Sequence, residues 1–321
     1  MRGTGSTGRS SGGRDHEASV TQALERGQAA RSSVVASWAR SARHGLAPSR
    51  APLERRLTAS EIAQLRERME PVSRAARPTL ERLFLAVGGF GASVILASEE
   101  GIPFERLVND AEDRDFAAAG LSEGSDWSEP AVGTNGIGTA LAEGRAVVIH
   151  RDQHFLTANT ALTCASAPVY DAAGELIAVL DVSTVRQDIG EGFAGLLSHS
   201  VQEAARRIEA DLFHARHPQA RMVLVPGLDR GLGAILAVDA DELVIGATRG
   251  ARLHLGLSGD LGRNPVPAAD LLGLESHSRP EDGERAVMAR ALARSGGNVS
   301  AAARALGISR ATLHRKLGRQ S

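Results

Sequence analysis

Near the C-terminus, basic and hydroxyl side chains lie close together, and their chemistry suits a polyanion. The stretch contains Ser309, Arg310, Thr312, His314, Arg315 and Lys316. Guanidinium and ammonium groups bind phosphate oxygens, and hydroxyl groups add hydrogen bonds to them. From residue 281 to residue 321 there are eight Arg and Lys residues and three acidic residues, a net charge of +5, whereas the whole chain has a net charge of −1. This local excess of positive charge predicts binding to nucleic acid.

Two short helices separated by a tight turn must position these side chains. Asn298 is suited to cap the first, alanine-rich helix, because its side-chain oxygen accepts from the free amides of the first turn. Gly307 ends that helix, since glycine adopts the left-handed conformation without steric cost. Ser309 caps the second helix, where Leu313 and Leu317 form the buried side. This arrangement predicts a helix-turn-helix, whose second helix enters the DNA major groove. The alternative is a solvated helical hairpin, but caps, turn and charge agree on the first interpretation.

The stretch resembles the C-terminal DNA-binding helices of Fis-type proteins, which also close many sigma-54-dependent activators. The matching pattern is GN-x-x-x-AA-x-x-LGISR-x-TL-x-RKL over residues 297–317. The resemblance implies a dimer that binds two half-sites of double-stranded DNA about one helical turn apart. By position it implies base contacts for Arg310 and Arg315, and phosphate contacts for Ser309, Thr312 and Lys316. His314 stands where the family more often has a basic residue, and we include it among the DNA-binding candidates.

The composition predicts a cytoplasmic protein that does not associate with a membrane. The 321 residues are enough for two or three domains, and no apolar run approaches the ~20 residues that span a bilayer. Cys164 is the single cysteine, which excludes an internal disulfide and fits a reducing compartment. Lys316 is the single lysine, so a phosphate-binding loop of the G-x-x-x-x-G-K-[ST] type cannot form elsewhere in the chain.

Four motifs between residues 127 and 182 carry a second resemblance. They read W-S-E-x-x-x-G-T-N-x-I-G-T-A-L from Trp127, then His154-Phe155, then L-T-C-x-x-A-P-V from Leu162, and G-x-L-x-x-V-L-D-V from Gly174. In this order they resemble the GAF sensor domain of the acetoin-responsive sigma-54 activators. The stretch Ser32–Ser41, followed by Gly45-Leu46-Ala47-Pro48, resembles the N-terminal signature of the same branch. The resemblance covers about residues 20–207.

The resemblance implies that a small-molecule effector binds within this sensor. The residues that it points to are Trp127, Glu129, Thr134, Asn135, His154 and Cys164. Structural roles are the alternative: Trp127 as core, Thr134 and Asn135 as residues that hold a turn, and Cys164 as an inert buried thiol.

A metal site at His150, His154 and Cys164 would require folding to bring the three together. They have no fixed ligand spacing, so we predict neither a metal site nor a cofactor.

We predict an α+β fold with seven segments: a disordered tail (1–17), an N-terminal helical region (18–78), the GAF sensor domain with flanking helices (79–190), a connecting helix (191–216), a short PAS-like segment (217–258), a linker (259–280) and an all-α Fis-type helix-turn-helix (281–321). The helical pattern from residue 59 to residue 86 is expected to break near Pro71 and Pro78.

In the connecting helix, apolar residues recur at three- and four-residue spacing and form one stripe. The stripe contains Leu197, Val201, Ala204, Ile208 and Leu212. It predicts either a dimer seam or a helix packed on its own sensor sheet.

Full-length activators of this family carry an AAA+ ATPase between sensor and helix-turn-helix. Here about 60 residues link the sensor helix to the final helices, and the phosphate-loop lysine is absent. The sequence therefore predicts a non-enzymatic, ligand-responsive transcriptional regulator that forms a homodimer and binds specific DNA sequences, with RNA polymerase as a possible further partner. One alternative is a partner that forms mixed dimers with a full-length sigma-54 activator. Another is a thiol enzyme on a GAF-like fold, disfavoured because Cys164 has no resolving cysteine.

Overall fold

The computed structural model describes residues 11–51, 55–188, 190–225, 233–273 and 283–318. The chain divides into two compact units, one made of residues 1–169 and 176–208 and the other of residues 170–175 and 209–321. Among the described residues, no helix is long and apolar enough to cross a membrane.

The first unit begins with three helices, α1 (Ser11–Glu25), α2 (Ser33–Arg43) and α3 (Ala59–Val87). Thr58 and Glu61 form a capping box at the start of α3, and Ser32 accepts a hydrogen bond from the Val35 amide at the start of α2. The predicted disordered tail is wrong for residues 11–17, which lie in α1. His16 is buried there, and its ring nitrogens lie 3.1 Å from Thr157 Oγ1 and from the carbonyl oxygens of residues 152 and 154. Residues 1–10 lie outside the described part of the chain.

Helix α3 continues through both of its prolines, so the predicted break is wrong. Pro71 and Pro78 lie seven residues apart, and both are exposed. On the solvent-facing side of a helix the backbone hydrogen bonds are already lengthened, so a missing N–H and the bulk of the proline ring are tolerated there best.

The centre of the first unit is a five-stranded antiparallel sheet in the order β2-β1-β5-β4-β3. Its strands are β1 (Ala92–Ser98), β2 (Pro103–Leu107), β3 (Val147–His150), β4 (Thr163–Tyr170) and β5 (Leu176–Thr184). Three short helices lie between β2 and β3 in the chain: α4 (Asp110–Ala118), α5 (Glu129–Val132) and α6 (Gly136–Glu143). The predicted α+β class is confirmed.

One hydrophobic core joins the N-terminal helices to this sheet. Val35 and Trp38 of α2 pack in the same buried cluster as Trp127, Phe155 and Ile95. The N-terminal region that we predicted as a separate segment (18–78) is therefore part of the sensor's own core.

Helix α7 (Glu191–Arg216) follows the sheet, and three of the five residues of its apolar stripe are buried. Leu197, Val201 and Ile208 are all buried, with at most 2% of their surface exposed. Ala204 and Leu212, the other two residues of the stripe, are partly exposed. The burial of the first three residues favours the packed helix, and the dimer seam stays a prediction.

The second unit contains a four-stranded antiparallel sheet in the order β6-β7-β8-β9. The strands are β6 (Arg221–Leu224), β7 (Ile235–Val238), β8 (Leu243–Ala247) and β9 (Val266–Pro267), with helices α8 (Arg249–Leu255) and α9 (Ala268–Leu272). Both β9 and α9 lie in the segment predicted as linker, so the small sheet extends beyond the predicted PAS-like segment. Three further helices follow: α10 (Glu284–Arg294), α11 (Val299–Ala305) and α12 (Arg310–Gly318).

Gly136, the first residue of α6, lies where the helix presses against the sheet. A Cβ atom at this position would clash with Ser166 Oγ and would lie 2.6 Å from Cys164 Cβ and 2.8 Å from Asp181 Oδ1. The glycine permits this close approach of helix and sheet.

Replacing Gly136 by alanine is therefore expected to destabilise the protein by about 2 kcal/mol, because a well-packed core resists an added methyl group. The measurement is the free energy of unfolding in urea. The matched control is Gly195→Ala, on the exposed side of α7, where a Cβ meets nothing within 4 Å. That control should gain up to about 1 kcal/mol from helix propensity. Equal effects of the two substitutions would contradict the close approach.

Candidate effector site and DNA-binding helices

The Glu129 carboxylate is buried at the start of α5, with 4% of its surface exposed. Arg40 of α2 binds it with two parallel hydrogen bonds, Nε to Oε2 at 2.7 Å and Nη2 to Oε1 at 2.8 Å. Ser37 and Thr139 also donate to Oε1, at 2.5 and 3.1 Å. Four donated hydrogen bonds, two of them from a cation, compensate the cost of burying this charge.

The Thr134 hydroxyl belongs to the same polar cluster. Its Oγ1 lies 2.7 Å from Ser37 Oγ and 3.2 Å from Ser41 Oγ. Sequence analysis identified Glu129 and Thr134 but missed their partners on α2. A signal was present, because Ser37, Arg40 and Ser41 share one helical face and stand inside the N-terminal signature. Two predicted effector residues thus hold α2 against the sensor.

Asn135 and Trp127 are also tied to their own segment. Asn135 caps α6 by accepting from the Gly138 amide at 2.9 Å, and its Nδ2 donates to the carbonyl oxygens of Trp127 and Gly133 at 3.0 and 2.8 Å. Trp127 Nε1 donates to the Gly120 carbonyl oxygen at 3.1 Å. For Asn135 this is the turn-holding role that the sequence left as an alternative.

His154 and Cys164, the remaining two predicted effector residues, lie next to each other inside the unit. His154 Nδ1 donates to the Arg151 carbonyl oxygen at 2.9 Å, which leaves Nε2 facing Cys164 Sγ at 3.5 Å. Burial lowers the pKa of His154 to about 4 and raises the pKa of the Cys164 thiol. Both groups are therefore neutral at pH 7, and a neutral thiol is a poor nucleophile.

Asp181 completes this cluster and was missed by sequence analysis. Its carboxylate accepts hydrogen bonds from Ser166 Oγ and, at 2.6 Å, from Ser183 Oγ, which also lies 3.0 Å from Cys164 Sγ. Burial raises the pKa of Asp181 to about 6, and the two serine hydroxyls oppose that shift. The residue stands inside the G-x-L-x-x-V-L-D-V motif, which was the available signal.

His150 does not join His154 and Cys164, because its Nδ1 is hydrogen-bonded to Thr163 Oγ1 at 2.9 Å. Within the described ranges, no group of three or more His, Cys, Asp or Glu side chains is arranged to hold a metal ion.

The C-terminal helices form a three-helix cluster with the caps that the sequence predicts. The Asn298 side chain accepts from the amides of Ser300 and Ala301 at 3.1 Å, and Gly307 has a φ of +67°. Ser309 Oγ accepts from the Thr312 amide at 3.0 Å, which caps α12. The core of the cluster contains Met288, Ala291, Ala302, Ala303 and Leu313.

On α12, the predicted DNA contacts lie on the exposed side. Arg310, His314 and Arg315 are exposed, as is Ser309 just before the helix, while Thr312 and Lys316 are partly exposed. The Lys316 ammonium forms an ion pair with Glu284 of α10. This predicted phosphate contact is therefore already paired within the protein.

Helix α10 is also bonded to the small sheet of the second unit, a connection that sequence analysis missed. Arg294 donates to Asp270 of α9 through Nε at 2.9 Å and Nη2 at 2.8 Å. Arg290 is buried, and its Nη1 donates to the Asp241 carbonyl oxygen at 3.4 Å. The helix-turn-helix and the four-stranded sheet are thus joined by specific hydrogen bonds within one unit.

An α+β sensor unit and a capped helix-turn-helix define a protein class that combines a sensor with a DNA-binding domain. Residues 10–209 match the family of the MimR N-terminal domain, and residues 279–319 match the Fis family of bacterial regulatory proteins. The chain belongs to the MimR N-terminal domain family and ends in Fis-type helices. The two predicted resemblances are confirmed.

Named relatives are transcriptional regulators. The acetoin catabolism regulatory protein of Cupriavidus necator is 34% identical over 242 residues, covering 74% of this chain and 36% of that protein. The propane 2-monooxygenase operon transcriptional activator MimR of Mycolicibacterium smegmatis is 31% identical over 156 residues, covering 47% of this chain and 25% of that protein. The chain thus spans about a third or less of these relatives' length.

The fold is similar to that of a solved structure. The crystal structure of the E. coli DhaR(N)–DhaL complex matches with a TM-score of 0.51 at 16% identity, covering 70% of this chain and 76% of that chain. At this identity the likeness describes the fold alone.

Replacing Arg40 by methionine is expected to destabilise the protein by about 3 kcal/mol, because it leaves the Glu129 carboxylate buried without its cation. The free energy of unfolding in urea measures the effect. Arg43→Met is the matched control, since Arg43 is exposed on the same helix and its Nε bonds only a backbone carbonyl oxygen, at 3.3 Å. The double variant Arg40→Met/Glu129→Gln should recover part of the lost stability. If its loss equals the sum of the losses of the two single variants, the pairing of Arg40 with Glu129 is contradicted.

Replacing Asp181 by asparagine is expected to change how stability depends on pH. The folded-state pKa of Asp181, about 6, lies above the ordinary 3.8, so the folded protein disfavours the ionised carboxylate. The protonated form of Asp181 therefore stabilises the folded wild type at low pH. This stabilisation is lost as pH rises from about 4 to about 6, whereas the variant, which has no carboxyl group at this position, shows no such loss.

The difference in free energy of unfolding, variant minus wild type, should rise across that pH window and stay level above it. Urea titrations at several pH values provide the measurement. Glu67→Gln, on the exposed side of α3, controls for the loss of one negative charge. A difference that does not vary with pH would show that Asp181 ionises as freely in the folded protein as in the unfolded one.

Proposed function

We propose that this chain is a cytoplasmic, ligand-responsive transcriptional regulator that binds specific DNA sequences through α12. The observation that carries the proposal is a capped helix-turn-helix whose second helix exposes Arg310, His314 and Arg315. The match to the Fis family and the regulatory roles named for the relatives support it. The cytoplasm is proposed because bacterial DNA lies there.

In this proposal α12 enters the major groove, and Arg310 and Arg315 donate to base edges. Ser309, Thr312 and Lys316 bind phosphates on either side of the groove, and His314 lies among them. The ion pair between Lys316 and Glu284 is exposed, so the ammonium can exchange the carboxylate for a phosphate at small cost. Arginine suits base contacts because its planar guanidinium binds guanine through two hydrogen bonds.

We further propose that the protein acts as a homodimer on paired half-sites. A single helix of this length reads only a few base pairs, and two copies one helical turn apart double the contacts. A small-metabolite effector in the sensor unit shifts the population of dimer geometries and so changes how the two α12 helices fit their half-sites. The regulatory outcome is repression by occlusion, or activation through RNA polymerase.

A mixed dimer with a full-length sigma-54 activator is the second candidate. The observation that favours it is the similarity of the chain to regulators about twice as long, together with its Fis-type helices. In this version the chain occupies one half-site of the DNA, and the mixed dimer blocks activation by the full-length partner.

Arg310→Ala and Arg315→Ala are each expected to weaken specific DNA binding by about 1–3 kcal/mol and to relax sequence preference at one position. Lys316→Ala should weaken binding to all sequences similarly and lower the slope of log affinity against log salt by about 1. Fluorescence anisotropy with specific and scrambled duplexes measures both quantities.

The control is Arg263→Ala, which removes the same charge from an exposed position outside the helix-turn-helix. If Arg310 and Arg315 variants keep full sequence preference, the assignment of base contacts is wrong.

Genome-wide mapping of bound sites, with and without residues 297–321, tests the function as a whole. Discrete peaks that disappear on truncation would support a sequence-specific regulator. Absence of peaks, together with co-purification of a sigma-54 activator, would favour the mixed dimer.

A further inference from the structure

The hairpin formed by β4 and β5 starts in the sensor sheet and ends in the second unit. The two strands are neighbours in the sheet, and they carry Cys164, Asp181 and Ser183 of the buried polar cluster. The turn that joins them, residues 170–175, belongs to the second unit, whereas the rest of both strands belongs to the first. We call this turn the hairpin tip. The hairpin is thus one continuous element with a part in each unit.

The hairpin tip is closed by four hydrogen bonds of its own. The Asp171 amide donates to the Glu175 carbonyl oxygen at 2.9 Å, and the Gly174 amide donates to the Asp171 carbonyl oxygen at 3.0 Å. Asp171 Oδ1 also accepts from the amides of Ala173 and Glu175, at 2.8 and 2.9 Å. Because the turn is fixed in this way, a displacement of the strands moves the tip as one body.

Tyr170 fixes the tip to two helices of the second unit. Its amide donates to Glu209 Oε1, near the end of α7, at 3.0 Å. The guanidinium group of Arg249, the first residue of α8, lies over the Tyr170 ring at 4.4 Å from the ring centre. A cation is attracted to the negative face of an aromatic ring, so this contact has a preferred geometry.

Ala172 supplies the apolar contact of the tip. It packs against a buried cluster made of Ala210, Phe213, Ile235 and Ala237. Two members of the cluster lie on β7, an inner strand of the four-stranded sheet. The tip is therefore packed on this sheet as well as bonded to α7 and α8.

The four-stranded sheet is in turn joined to the helix-turn-helix. Thr248 Oγ1 accepts from the Ile235 amide at 3.0 Å and donates to the Gly233 carbonyl oxygen at 2.9 Å, which ties the start of α8 to β7. On the other side of the sheet's chain, Arg294 of α10 binds Asp270 of α9. Helices α10 and α12 share one apolar core. Packed or bonded elements thus lead from the hairpin tip to α12 within the second unit.

We propose that the hairpin tip is the element through which the state of the sensor sheet acts on the helix-turn-helix. A change in the packing of β4 and β5 displaces the tip against β7 and α8, and the contacts described above carry this displacement to α10 and α12. Close-packed elements transmit small displacements because they contain no free volume that could absorb them. The inference rests on the proposed function in taking DNA binding by α12 as the output.

Helix α7 is the competing connection, since it also has residues in both units. A test must therefore release the tip and leave α7 unchanged. Ala172→Asp does this by placing a charge against the apolar cluster. Ala173→Asp is the matched control, because it makes the same change at the next residue of the turn, where the side chain is exposed.

The first measurement compares two probes of unfolding in urea. Both tryptophans of the chain, Trp38 and Trp127, belong to the first unit, so their fluorescence reports on that unit. Far-ultraviolet circular dichroism reports on the helices and strands of both units. We expect the two transitions to coincide in the wild type. In the Ala172→Asp variant, the dichroism midpoint should fall below the fluorescence midpoint by about 0.5 M urea or more.

The Ala173→Asp control should keep both transitions at the wild-type midpoint. Transitions that are already separate in the wild type would overturn the inference. Transitions that still coincide in the Ala172→Asp variant would also overturn it, and would assign the connection to α7.

The second measurement observes the tip directly. Tyr170 is the single tyrosine of the chain, so fluorotyrosine labelling gives one fluorine NMR signal. Coupling between two sites is reciprocal, so DNA that binds α12 must act on the tip if the tip acts on α12. We expect a duplex from the mapped genomic sites to shift this signal in the wild type and in Ala173→Asp, and to leave it unshifted in Ala172→Asp.

The outcomes separate this inference from the proposed function. A duplex that binds and leaves the wild-type signal unchanged would refute the inference alone. A protein that binds no duplex would refute the proposed function, and the urea transitions would then decide by themselves whether the tip connects the sensor sheet to the second unit.

Discussion

The buried carboxylate of Glu129 is the constraint on which the sensor unit depends. A charge in the interior is tolerated only when cations and hydroxyl donors surround it, and here Arg40 and Ser37 of α2 supply most of them. Helix α2 is therefore an integral part of the sensor fold. This requirement explains why the N-terminal helices share one hydrophobic core with the sheet, with Val35 and Trp38 packed among sensor residues.

A second polar cluster lies between helix α6 and the sheet. His154 and Cys164 are neutral near physiological pH, and the Asp181 carboxylate accepts hydrogen bonds from two serine hydroxyls. Burial lowers the pKa of His154 and raises that of Asp181, so both depart from their ordinary values in the direction that removes charge. Gly136 permits the close approach that encloses them. The conspicuous motif residues thus form the interior framework of the sensor.

In the second unit, the Fis-type helices are bonded to a small antiparallel sheet. Arg294 binds Asp270 with two parallel hydrogen bonds, a geometry that fixes orientation as well as distance. Between the sensor unit and these helices, the described residues form the strands β6 to β9. Helix α10 is thereby held to this sheet, and the orientation of α12 follows through the shared three-helix core.

The sequence by itself determined the elements that depend on local physics. Asn298, Gly307 and Ser309 specify the ends of α11 and the start of α12. The motifs also predicted the family. Only the tertiary structure decided what the motif residues touch. Glu129 meets Arg40 across 89 positions of sequence, and Cys164 meets His154 across 10. Such contacts follow from packing between distant elements, which no local pattern of residues encodes.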